Sequence, residues 1–182
     1  MHRATRPIRP LNAVKLEELA LAYVARFATS AAKLEGYLAR KLRERGWDEE
    51  GEAAARISAL VERFVAAGYV DDLAYARAKS GSLLRRGYGQ RRVGQALSQA
   101  GIGDDVRDAV RAGPGTQRRA ALACAQKRGF GPFGKAEPDR AQKEKQIAAM
   151  LRAGHALDSA RLLVNAADQE TALAWADEAE DE

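Results

Sequence analysis

The octapeptide RRGYGQRR, Arg85 to Arg92, sets Gly87 and Gly89 one residue apart between two arginine pairs. Closely spaced glycines can cradle a phosphate when they lie between a strand and a helix, so that backbone amides and the helix terminus face the anion. Here the preceding stretch, Asp71 to Arg86, reads as a helix, and neither a third glycine nor a Lys-Ser/Thr pair follows. The nucleotide-site reading is therefore set aside. Asp71 and Asp72 are adjacent carboxylates of the kind that can share acid and base roles or hold a metal. At a helix start, however, neighbouring side chains point ~100° apart, and Asp71 suits a capping role while Asp72 suits the helix dipole. His2 and His155 are the only histidines and Cys124 the only cysteine, so no catalytic triad, zinc site or internal disulfide can be assembled. Neither enzymatic activity nor a cofactor is expected.

The remaining chemistry is positive charge. From Asp168 onward there are seven acidic residues and no basic ones, which leaves 30 basic against 18 acidic residues before that point, a net +12. Such a body attracts polyanions: nucleic acid, an acidic protein surface or anionic lipid. Arg85, Arg86, Lys127 and Arg128 fall at predicted helix ends, where the dipole favours cations without any partner. Arg91, Arg92, Arg118 and Arg119 fall near helix starts, where the dipole opposes them. Those four lean toward a binding partner. Tyr88, between the two glycines, is either a stacking platform or interface anchor or an apolar lid over the helix cap, with the lid preferred.

Helices must position these groups. Hydrophobic residues make up 46% of the 182 residues and aromatics only 6%. Alternating apolar and polar runs are nearly absent, so an all-α fold is expected. Leu16, Leu19, Tyr23 and Phe27 recur at helical spacing, as do Leu34, Leu38 and Leu42, then Ile57, Leu60, Val61 and Phe64, and these stripes are read as core. Helical segments end in glycine followed by a large side chain, at Gly46-Trp47, Gly68-Tyr69, Gly87-Tyr88, Gly101-Ile102, Gly129-Phe130 and Gly154-His155. Asp48, Asp71, Asp104, Thr116 and Asp158 are read as caps of the helices that follow. Gly46, Gly101 and Gly154 are 55 and 53 positions apart, which predicts tandem three-helix repeats in an elongated, curved molecule.

The predicted organisation is a disordered basic arm over 1–10, an N-terminal helix over 11–28, three-helix repeats over 29–88, 89–134 and 135–167, and an acidic tail over 168–182. The last helix of the third repeat is allowed to extend to about 178. GFGPFGKAEP, 129–138, is read as a flexible linker. A monomer in a reducing cytoplasm, with no membrane contact, fits the single cysteine and the lack of a long apolar run.

The continuous piece GYVDDLAYARAKSGSLLRRGYGQRRVGQALSQAGI, Gly68 to Ile102, resembles the RecX family of bacterial recombination regulators. The likeness rests on Gly68-Tyr69-Val70-Asp71-Asp72, Tyr75-Ala76, Gly87-x-Gly89, Arg92-Val93, Leu97 and Gly101-Ile102. Upstream, YLARKLRERGW resembles the helix before the family's first glycine turn. Gly154-His155 departs from the Gly-Phe common in relatives. The resemblance implies an all-α fold of tandem three-helix repeats with no catalytic residues. It also implies binding to the RecA recombinase filament, in its helical groove, with inhibition of ATP hydrolysis, strand exchange and co-protease activity. Some relatives bind DNA as well. The candidate contacts to recombinase or DNA are then Arg85, Arg86, Tyr88, Arg91, Arg92, Arg118, Arg119, Lys127 and Arg128, with a DNA-binding protein as the alternative reading.

Overall fold

The computed structural model describes residues 9–179, and every regular element among them is helical. The predicted basic arm lies outside the described residues except for Arg9 and Pro10. Two compact units are present. One comprises the chain up to Tyr75 together with Ala100–Ile102; the other comprises Ala76–Gln99 and the chain from Gly103 onward.

The first unit is built from α1 (Ala13–Val24), α2 (Ala31–Arg45), α3 (Ala53–Ala66) and the first turn of α4 (Asp72–Arg85). Asn12 starts α1 by accepting from the Lys15 amide at 2.9 Å, and Ser30 starts α2 by accepting from Lys33 at 3.3 Å. Leu34 and Leu38, one turn apart, meet Leu16 and Ala20 of α1 and Ile57, Leu60, Val61 and Phe64 of α3 in a single core. Each large side chain so buried contributes roughly 1.5–3 kcal/mol over its exposed state. Leu11 pins the entry to α1 against the exit of α2 through Leu11 N–H to Gly46 O and Asp48 N–H to Leu11 O, both 2.9 Å. Phe27 departs from the expected stripe. Because α1 ends at Val24, Phe27 sits in the following turn and remains 51% exposed.

The second unit holds the rest of α4, then α5 (Gln90–Ser98), α6 (Asp104–Ala109), α7 (Pro114–Arg128), a 3₁₀ turn (Gly131–Phe133), α8 (Arg140–Arg152), α9 (Leu157–Asn165) and α10 (Gln169–Asp177). Its core is rich in alanine: Ala121, Ala125, Ala153, Ala160, Ala172 and Ala176 surround Leu122, Met150, Leu163 and Val164. Small side chains let the helix backbones approach closely.

One expectation is corrected here. The 129–138 stretch is packed rather than a free linker: Gly131 is buried, its N–H donates to Gln146 Oε1 at 2.8 Å, and Phe130 and Phe133 lie against the core. The helix that the sequence reading allowed to run to about 178 is α10, Gln169–Asp177. Asp168 caps α10 by accepting from Thr171 N–H at 2.7 Å, and Ala172 and Ala176 are fully buried. The division between compact units falls inside α4, after Tyr75.

All six glycines read as helix ends have positive φ. The side-chain caps were less legible. Glu52, Gly103, Gly113 and Ala156 occupy the cap positions of α3, α6, α7 and α9, none with a side-chain cap bond, so Asp48 and Thr116 do not serve and Asp104 and Asp158 lie inside the first turn. There the dipole accommodates a carboxylate without a capping bond.

Candidate functional site

The octapeptide forms a corner between α4 and α5. Gly87, at φ +86°, reverses the chain so that its own N–H reaches Leu84 O at 2.8 Å and Tyr88 N–H reaches Leu83 O at 3.0 Å. A second corner, between α8 and α9, is pressed against the first. Gly89 N–H donates to Ala153 O at 2.9 Å and Arg91 N–H to Gly154 O at 3.2 Å. A Cβ on Gly89 would overlap the Gly154 carbonyl, and one on Gly154, whose φ is +97°, would overlap the Arg92 amide. Main chain meets main chain here.

His155 closes the joint. Its ring is buried, and Nε2 lies 3.0 Å from Gly87 O. A carbonyl can only accept, so Nε2 carries the proton and donates. Burial disfavours the imidazolium and holds the pKa below 6.5, with the nearby Arg128 charge acting in the same direction and the Gly87 bond against both. Cys124, beneath Gly87, is buried too, and burial pushes its thiol up, away from nucleophilic character.

The structure divides the candidate basic residues into two sets. The Arg91 guanidinium donates to Leu151 O in the last turn of α8. Arg118 donates to Trp175 O at 2.8 Å, lies 4.9 Å from the centre of the Trp175 ring and stands 3.9 Å from Glu178 Oε2, all on α10 and its end. Both therefore serve a neighbouring helix end. Their own helix dipole opposes them, but a neighbouring helix presents its carbonyl terminus to each, and that field has the favourable sign. Arg119 donates to Thr116 Oγ1 at 3.0 Å. Lys127 reaches across to Arg85 O at 3.1 Å, so it caps α4 rather than its own helix.

Arg85, Arg86, Lys127 and Arg128 are all exposed, and the Lys127 bond brings the ends of α4 and α7 side by side. Arg86 lies over the half-buried Tyr88 ring at 5.4 Å and Arg128 over Phe130 at 5.9 Å. Tyr88 thus serves the cap through its N–H and carries an arginine on its ring. Arg92 is exposed and has no side-chain partner among the described residues.

The remaining motif residues shape the first unit. Gly68, at φ +76°, ends α3, and Tyr69 folds back so that its ring lies 5.3 Å from Phe64. Asp71 accepts from Ala74 N–H at 2.8 Å at the start of α4. Asp72 does not serve its own helix dipole alone; Oδ1 accepts from Ala31 N–H at 2.8 Å, where α2 begins. Tyr75 OH receives Lys33 Nζ at 3.1 Å. Gly101, at φ +73°, lets Ala100–Ile102 lie on the same helix start: Ser30 Oγ donates to Ala100 O at 2.5 Å, and a Cβ on Gly101 would overlap the Ala32 methyl. His155 was missing from the sequence-based site. The signal available was its place directly after a cap glycine, but only the fold shows which carbonyl it meets.

Residues 71–110 match the model of a family described as RecX, second three-helix domain. Over 165 residues the chain is 31% identical to the Regulatory protein RecX of Myxococcus xanthus, a match covering 86% of this chain and 88% of that one. The Regulatory protein RecX of Agrobacterium fabrum is 32% identical over 130 residues, 69% of this chain and 68% of its own. Among solved structures, RecX from Lactobacillus salivarius superposes with a TM-score of 0.62 at 17% identity, covering 92% of this chain and 97% of that one. Another, a regulatory protein RecX, gives 0.65 at 18% identity over 83% and 70%. The shared fold is an all-α helical repeat.

Proposed function

Because the chain belongs to the RecX family, we propose that it binds the RecA recombinase filament in the filament's helical groove and regulates it, mostly by inhibiting ATP hydrolysis, strand exchange and co-protease activity. The observation that carries this reading is the likeness to the Myxococcus xanthus regulator over nearly the full length of both chains. The protein acts as a monomer in the cytoplasm and supplies no catalytic group. The contact surface is the exposed cationic cluster at the ends of α4 and α7, Arg85, Arg86, Lys127 and Arg128, together with Arg92. Exposed cations suit acidic recombinase surfaces and phosphates alike, and weak contacts repeated along a polymer add through effective concentration.

The test is direct. The purified protein, added at substoichiometric ratios to RecA on single-stranded DNA, is expected to lower steady-state ATP hydrolysis; no effect at any ratio defeats the proposal. Direct DNA binding as the core activity is the second reading, favoured by the net +12 of the chain before Asp168. Replacing Arg85, Arg86, Arg92 and Arg128 by alanine separates the two. If DNA binding disappears while ATPase inhibition persists, the filament contact is primary; joint loss with a flattened salt dependence assigns the activity to DNA.

A further inference from the structure

Aromatic and cationic residues are interleaved where α1 and α2 lie side by side in the first unit. An aromatic stands three residues before an arginine twice: Tyr37 before Arg40 on one face of α2, and Tyr23, at the end of α1, before Arg26 in the turn that follows. The Tyr23 and Tyr37 rings stack with centroids 4.2 Å apart and planes 17° from parallel, and Phe27 leans on Tyr23 at 5.3 Å. Arg26 lies over Phe27 and Arg40 over Tyr37, each 5.6 Å from the ring centre. The order is arginine, three rings, arginine.

The inner rings are explained by folding, since Tyr23 and Tyr37 rest on the core of this unit. Phe27 is not. It lies outside that core and keeps 51% of its surface in water at the end of the stack. Arg26 has no acidic partner among the described residues, and Arg40 has only Glu44 at 3.7 Å, with both side chains about half exposed. An exposed ring with a guanidinium over it accepts a flat π system carrying negative charge beside it: the base competes for the ring and the guanidinium takes the phosphate. An unpaired nucleotide has that composition; a duplex hides its base faces.

We propose that Phe27, with Arg26 and Arg40, forms a base-stacking site for an unpaired nucleic-acid strand: the ring takes a base, Arg26 takes the phosphate beside it, and Arg40, at the far end of the ring row, takes one further along the strand. The site lies in the first unit and does not depend on the recombinase reading, so its binding measurement needs no recombinase.

Fluorescence anisotropy of labelled dT12 against the full chain at low salt is the measurement, with an abasic 12-mer of equal charge, duplex DNA and rU12 as companions. Stacking predicts dT12 binding about tenfold tighter than the abasic strand, lost in Phe27→Ala and retained in Phe27→Trp. Arg26→Ala with Arg40→Ala lowers the salt slope. Phe27 is half exposed, so Phe27→Ala keeps the fold, and unchanged thermal unfolding verifies this. Binding of either dT12 or rU12 with these signatures supports the site and identifies its source. Equal affinity for abasic and base-bearing strands overturns it, as does Phe27→Ala binding dT12 normally. Loss of recombinase inhibition in Phe27→Ala with dT12 affinity unchanged also overturns it, and assigns the patch to a protein partner.

Discussion

Two glycine corners in this protein do similar work by different means. In the second unit, the α4–α5 corner at Gly89 meets the α8–α9 corner at Gly154 main chain to main chain, and His155 and Arg91 hold the pair with side-chain bonds to Gly87 O and Leu151 O. In the first unit, the corner at Gly101 rests on the start of α2 through a methyl group, Ala32, and a hydroxyl, Ser30. The first contact requires two glycines at once and leaves no atom to remove. The second requires one glycine and a small neighbour, and is adjustable from either side. Proximity of backbones, more than turn geometry, separates an intolerant glycine from a tolerant one.

Substitution exposes that difference most strongly. Gly154→Ala combines left-handed strain with overlap against the Arg92 backbone, and Gly89→Ala overlaps the Gly154 carbonyl. Each is expected to cost about 3 kcal/mol or more in urea unfolding, from strain and overpacking together. Gly101→Ala should cost less, and adding Ala32→Gly should recover part of the loss by removing the methyl it strikes, apart from the ~1 kcal/mol helix penalty of glycine. Equal costs at Gly89 and Gly101, or no recovery with Ala32→Gly, would remove the distinction.

Arginines provide the next test. Arg91→Ala frees a carbonyl at the end of α8, and Arg118→Ala strips Trp175 of both its backbone partner and the guanidinium over its ring. Losses of about 1 kcal/mol are expected for each, reduced from the buried value because both side chains are partly in water. Arg92→Ala should leave unfolding unchanged within about 0.5 kcal/mol while weakening inhibition of recombinase ATPase. Destabilisation by Arg92→Ala, or silence at Arg118, would reverse the assignment.

The elements that read correctly from sequence were those governed by local physics. The glycine caps at Gly46, Gly68, Gly87, Gly101, Gly129 and Gly154 were legible because a left-handed residue followed by a large side chain is a property of six consecutive residues. The leucine spacing of α2 was legible for the same reason. What stayed hidden was contact at long range. Arg91 looked unsatisfied because its own helix dipole opposes it, yet Leu151, 60 residues on, supplies the carbonyl. GFGPFG carries the composition of a linker but packs Gly131 under Gln146 and α9. The helix allowed to about 178 in the acidic stretch around Trp175 is present, but the burial of Ala172 and Ala176 against the core of the second unit could not be read from the charge pattern.

The smallest effect expected at the Gly89 joint is its response to pH. The folded pKa of His155 lies below 6.5, because burial and the Arg128 charge penalise the imidazolium more than the Gly87 bond rewards it. Above 6.5 the ring is neutral in both folded and unfolded chains, and its contribution is fully present. As pH falls below 6.5 the unfolded chain takes up the proton first, so stability declines until the folded pKa is passed, by about 1.4 kcal/mol per unit of separation. Asp168 does not blur this window: the Thr171 N–H holds its carboxyl below 3.8, and its contribution is lost only in stronger acid. Unfolding free energies between pH 8 and 5 should therefore slope for the native chain and flatten for His155→Gln, whose amide can still donate to Gly87 O. Parallel slopes in the two proteins would place the proton elsewhere and leave the joint held by its backbone alone.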